Sequence, residues 1–130
     1  MSIVIEAGFA DPDLLHVLEG ADPGTLDSLG FGVIGFDRGG VVRRYNAIEV
    51  RGSGVSAPKN IGQSLFTAVA PCMNNYLVAQ RFDDAVEKGI LLDATIDYVL
   101  TLRMRPTKVK LRLLASPDAA LQYVLIRRIP

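Results

Sequence analysis

Apolar and polar residues alternate most regularly in the last third of the chain. In LLDATIDYVLTLRM the even positions Leu92, Ala94, Ile96, Tyr98, Leu100, Leu102 and Met104 are apolar or aromatic, and only Val99 interrupts the polar set between them. Side chains alternate across a strand, so this spacing predicts one long half-buried strand. TKVKLRLL repeats the pattern after Arg105 and Pro106, and LQYVLIRRI supplies a last strand after SPDAA. The chain therefore ends in three consecutive antiparallel strands. Upstream, FGVIGFD and VVRRYN are joined by RGG, with Asp37 before it, which predicts a hairpin with strands near 31–37 and 41–45.

The helical period appears between these strand groups. Leu77, Val78, Phe82, Ala85 and Val86 fall on one stripe, with Asn74 or Asn75 as the cap and Gly89 as the stop. Residues 46–69 are rich in Gly, Ser, Ala and Asn, which favours short helical turns and loops. Residues 1–28 are broken by Pro12, Gly20, Pro23 and Gly24 and read as a helical cap before a core of residues 29–130. The order predicts an α+β domain: a five-stranded antiparallel sheet with helices over one face, and a pocket between the sheet and residues 46–72.

Composition narrows the function. At 130 residues and 49% hydrophobic, the chain suits one domain with a sizeable core. Fourteen basic and fourteen acidic residues cancel, which argues against nucleic acid or anionic lipid as a partner. A single cysteine makes no internal disulfide and lacks the ligands of a zinc site, so no metal is expected. The N-terminus lacks the pattern of a secretory signal, and no run of about 18 apolar residues occurs. The expectation is a cytoplasmic protein. Arg43–Arg44 and Arg127–Arg128 read as solvated surface.

Two features carry candidate chemistry. Tyr45, Glu49 and Ser53 are spaced by four and four, so a helix over 45–53 would place them on one face. An ordinary structural role explains the same spacing, because Asn46 followed by Glu49 is a helix-capping pattern. Cys72, in AVAPCMNNYLV, is either a small buried hydrophobe or a usable thiolate before a helix start. The one histidine, His16, lies far along the chain, which weakens a cysteine–histidine enzyme.

LDSLGFGVIGFD, YNAIE, IGQSLFTAVAPC and MRPTKVKL, in that order, resemble the photoactive yellow protein family, a branch of the PAS-fold sensors. The likeness runs over roughly residues 25–130. It implies a PAS-like sheet and 4-hydroxycinnamic acid (p-coumaric acid) held covalently as a thioester at Cys72. It further implies that Tyr45 and Glu49 hydrogen-bond the phenolate oxygen of that chromophore, that Ser53 supports Tyr45, and that Met104 lies near the chromophore and assists its return to the dark state. A pocket of Ile34, Val55, Phe66, Val69, Pro71, Leu100 and Met104 follows from the same resemblance. So does a blue-light photoreceptor without enzymatic turnover. The rival is a PAS-type ligand-binding or protein-interaction module without chromophore.

The chemistry suits those roles. A phenol titrates near pH ~10, so holding it ionised needs strong donors. Glu49 donates only while protonated, and burial beside an anion favours that form. Photoisomerisation would let Glu49 protonate the phenolate and leave a buried, unpaired carboxylate, a cost on the order of several kcal/mol that would loosen the cap of residues 1–28. Departures from the family are Val55 in place of a covering arginine and Leu100 and Leu102 in place of aromatic residues. No output segment is recognisable, so an unknown downstream signalling protein or a second copy of the chain would carry the signal onward.

Overall fold

The computed structural model describes residues 8–101 and 106–128. Two short helices, α1 (Leu14–Gly20) and α2 (Pro23–Ser28), precede the hairpin β1 (Gly32–Phe36) and β2 (Val42–Tyr45). Asp37 Oδ1 accepts from Gly39 N and Val41 N, and Gly40 takes a φ of 83° that closes the turn. Then come α3 (Ala47–Ser53), α4 (Ala57–Asn60), a π-helical turn Leu65–Val69 and a 3-10 turn Pro71–Met73. Helix α5 (Ala79–Lys88) leads into β3 (Leu92–Leu100), β4 (Thr107–Ala115) and β5 (Gln122–Arg128).

The five strands form one antiparallel sheet in the order β2-β1-β5-β4-β3. The last strand to be made thus sits at the centre, beside the first. Alternation in β3 is as expected, with Leu92 and Leu100 buried and Val99 exposed. The expected continuation of this strand to Met104 falls on residues 102–105, outside the described residues.

The helices do not cover one face only. One core joins Ile34, Phe36, Leu111, Leu113, Val124 and Ile126 to Phe82 and Ala85 of α5. A second, on the opposite face, joins Leu14, Leu18 and Leu26 of the cap to Val33, Leu114, Tyr123 and Leu125. Two-sided burial is why β1 and the stretch 123–126 read as continuous apolar runs instead of alternating ones. Two arginines tie the cap down: Arg44 donates to Leu18 O and Ala21 O, and Arg112 donates to Phe9 O (2.9 Å) and Asp11 O (2.7 Å).

Helix α5 starts later than its sequence suggests. Asn75 caps a turn, accepting from Leu77 N and Val78 N, and the helix begins at Ala79. Leu77 and Val86, expected on the buried stripe, are each 42% exposed; Val78, Phe82 and Ala85 bury the face. Gly89, at φ 62°, ends the helix as expected. Among the described residues no helix is long and apolar enough to cross a membrane.

Candidate functional site

Between Tyr45, the last residue of β2, and Ala47, the first of α3, only Asn46 is available to turn the chain and cap the helix. Its Oδ1 accepts from Glu49 N (3.1 Å) and Val33 N (2.9 Å), while its Nδ2 donates to Leu26 O (2.9 Å) and Phe31 O (3.0 Å). A buried amide with both its ends bonded fixes α3 against β1. Glu49 and Ser53, one turn apart, therefore both point inward and are buried. The capping role of Asn46 and the shared face of Glu49 and Ser53 hold together, but Tyr45 ends β2 instead of lying on the helix, which corrects the expected helix over 45–53.

Tyr45 Oη and Ser53 Oγ lie 2.6 Å apart. Ser53 Oγ also accepts from Val55 N at 3.2 Å. A serine hydroxyl has one proton to give, so Ser53 can donate to Tyr45 and leave the tyrosine proton for a third group. Burial pushes the Tyr45 hydroxyl up to about 12, so it remains a donor at any ordinary pH.

These groups face a cavity of about 200 Å³ lined by Ile34, Tyr45, Glu49, Ser53, Val55, Asn60, Val69, Ala70, Met73 and Ile126. It sits where expected, between the sheet and residues 46–72. Engineered apolar cavities of about 150 Å³ take up benzene, so one aromatic ring with a short tail fits here. Ile34, Val55 and Val69 are among the pocket residues expected from sequence. Phe66, Pro71 and Leu100 are not part of this wall: Phe66 stacks edge-on against Phe36, Pro71 is exposed, and Leu100 is buried in the core. Met104 lies outside the described residues. Asn60, which the sequence did not single out, lines the cavity, and its buried Nδ2 has no hydrogen-bond partner among the described residues.

Glu49 is 1% exposed and meets a partner that its sequence neighbourhood does not contain. Arg128 Nη1 donates to Oε1 at 2.6 Å and Nη2 to Oε2 at 3.1 Å. Arg127 is exposed, as expected, but Arg128 is partly buried, which corrects its reading as solvated surface. Period two along β5 explains it, because residue 128 shares the face of Val124 and Ile126. Burial pushes the Glu49 carboxyl above its ordinary value, and the guanidinium pulls it part of the way back.

Cys72 is half-buried and packs against the main core, but the cavity wall is made by its neighbours Ala70 and Met73. Its carbonyl accepts from Tyr98 Oη (2.5 Å) and Asn75 Nδ2 (3.2 Å), and Asn75 Nδ2 also donates to Tyr98 Oη (2.6 Å). Tyr98 and Asn75 thus pin the cysteine segment to β3 by its backbone and leave the thiol out of the network.

No family model matches the chain. It is 30% identical to the photoactive yellow protein of Rhodothalassium salexigens over 121 residues, 93% of this chain and 96% of that one. It is 31% identical, over the same shares, to the photoactive yellow protein of Halochromatium salexigens. Among solved structures, the photoactive yellow protein domain of the sensor histidine kinase Ppr from Rhodospirillum centenum superposes with a TM-score of 0.79 at 34% identity, covering 87% of this chain and 98% of that domain. The PAS domain of the Cronobacter turicensis quorum-sensing receptor RpfR, at 15% identity and TM-score 0.62, covers 79% of this chain and 97% of that one and shares the fold alone.

Proposed function

Because this chain belongs to the photoactive yellow protein family, we propose that it is a blue-light photoreceptor whose chromophore is 4-hydroxycinnamic acid bound through Cys72. The observation that carries this reading is the convergence of Tyr45, Glu49 and Ser53 on a largely apolar cavity that would take a single ring. When bound, that group supplies a light-absorbing, isomerisable double bond conjugated to a phenolate.

The residues present suit it. Cys72 would hold it as a thioester, its sulfur replacing the leaving group of an activated acyl donor and losing its proton, while Tyr98 and Asn75 hold the cysteine backbone. Tyr45 donates its hydroxyl proton to the phenolate oxygen and accepts from Ser53. Glu49, whose carboxyl burial pushes above its ordinary value, would donate from a carboxyl oxygen to the bound phenolate and give that proton up after light. Ile34, Val55, Val69 and Ile126 exclude water from the ring. The rival reading, a ligand-binding module without chromophore, is favoured by Cys72 standing beside the cavity wall instead of in it. Photoactive yellow protein also occurs as a domain of a sensor histidine kinase, so a kinase is the class of partner we assign to the output.

Purified protein incubated with an activated 4-hydroxycinnamic ester should gain the mass of one acyl group and a visible absorption band. Unchanged mass would favour the rival. Glu49→Gln keeps a neutral donor but weakens it, leaving more negative charge in the ring, so the loaded variant should absorb at longer wavelength than the parent. An unshifted band would remove Glu49 from the phenolate's partners.

A further inference from the structure

Neither a resting place for Glu49 after proton loss nor a partner for Arg128 was apparent from sequence, and the structure supplies both in one contact. Two chain segments leave room for it. A Cβ at position 52 would overlap Arg128 Nη1 and Cζ, and a Cβ at position 32 would overlap Glu49 Oε1; both positions are glycine. The guanidinium occupies the space beside α3 at Gly52, and the carboxylate that beside β1 at Gly32. Of the groups on the elements packed around Glu49, Arg128 comes from β5 and Tyr45 from β2, while β1 contributes no titratable residue. Asp27 of α2 faces outward and accepts from Ala47 N, and Arg51 on α3 is exposed.

We propose that Arg128 is the counter-charge built for the ionised form of Glu49, so that it prolongs the state in which Glu49 has lost its proton. This rests on the photoreceptor reading for its kinetic half only. In the dark state the Glu49 O–H bond is intact and its proton is shared toward the phenolate oxygen. On proton transfer that O–H bond breaks, a new one forms on the phenolate oxygen, and the negative charge moves to the Glu49 carboxylate. The bidentate fork then meets that charge with two N–H donors. The buried carboxylate is therefore not left unpaired, which corrects the expectation from sequence. Arg128 is a positioning residue: it touches Glu49 and acts through it.

The test has one arm that needs no chromophore. Isotope-edited infrared spectra of the apoprotein, with Glu49→Gln for assignment, give the pH at which Glu49 ionises. An opposite charge at hydrogen-bond range shifts a carboxyl by roughly one to three pH units. Arg128→Met should therefore raise the proton affinity of Glu49 by about tenfold or more. Gly52→Ala keeps the arginine but displaces its head, and should move the titration the same way; it also carries the test should Arg128→Met fail to fold. Titration unchanged in the folded variants overturns the proposal.

The second arm uses protein loaded through Cys72. Dark recovery after blue light should be about tenfold or more faster in either variant, since an uncompensated carboxylate regains its proton sooner. Unchanged recovery in variants that shift the apoprotein titration overturns the kinetic half. Failure of the parent chain to load defeats the photoreceptor reading and leaves the titration to decide Arg128.

Discussion

Cys72→Ala is expected to fold like the parent and to be colourless. Among the described residues the sulfur makes no hydrogen bond, and the backbone contacts of Cys72 to Tyr98 and Asn75 survive truncation. The half-buried thiol is small, so its loss costs about 1 kcal/mol or less. The expected effect on loading, by contrast, is total: incubated with the activated ester, the variant gains neither mass nor visible absorption. The comparison is made by mass spectrometry and absorption on samples whose circular dichroism matches. An equal mass gain in Cys72→Ala would place the attachment elsewhere, and with one cysteine in the chain that would end the thioester account.

Arg112→Met should produce the largest loss of stability. Arg112 is 4% exposed, forms two 2.9 Å bonds to the Asp93 carboxylate on β3, and reaches across to the carbonyls of Phe9 and Asp11. Methionine keeps much of the stem's bulk and removes all four bonds. Breaking a buried pair costs about 3–5 kcal/mol; Asp93 is 40% exposed and can rehydrate, so the low end applies. A fall in Tm of roughly 10 °C follows for a chain of this size. Amide exchange should accelerate through residues 9–20 while β4 and β5 stay protected. An unchanged Tm with unchanged exchange in the variant would show that the apolar contacts of Leu14 and Leu18 hold the cap by themselves.

Much of this fold is legible in the sequence because its strands announce themselves locally. Alternation from Leu92 to Leu100 and the Asp37–Gly40 turn each encode one element without help from distant residues. The second covered face is encoded too, in the uninterrupted FGVIGF and YVLI runs, but such runs become informative only once something is known to cover both sides. The start of helix α5 is harder to read, because Asn75 caps the turn before it with Oδ1 and gives Nδ2 to the Cys72 carbonyl and Tyr98, so the helix begins only at Ala79.

The site divides along the same line. Glu49 and Ser53 fall together as soon as α3 forms, and Tyr45 meets Ser53 from the end of β2 once Asn46 turns the chain. Arg128 is 79 positions from Glu49, and no local pattern connects them. The available signal was indirect: an arginine two places beyond Ile126 continues an inward-facing row, and glycines at 32 and 52 leave space without saying for what. Asn60 gave less, since a polar residue at the end of a short helix is ordinary until its amide is found buried and unbonded.

The most direct measurement is the absorption of loaded protein before, during and after blue illumination. Light should bleach the visible band, and darkness should restore it completely over repeated cycles without loss of the bound acyl group. A protein that loads through Cys72 yet keeps an unchanged spectrum in light, or bleaches without recovery, would contradict the photoreceptor reading.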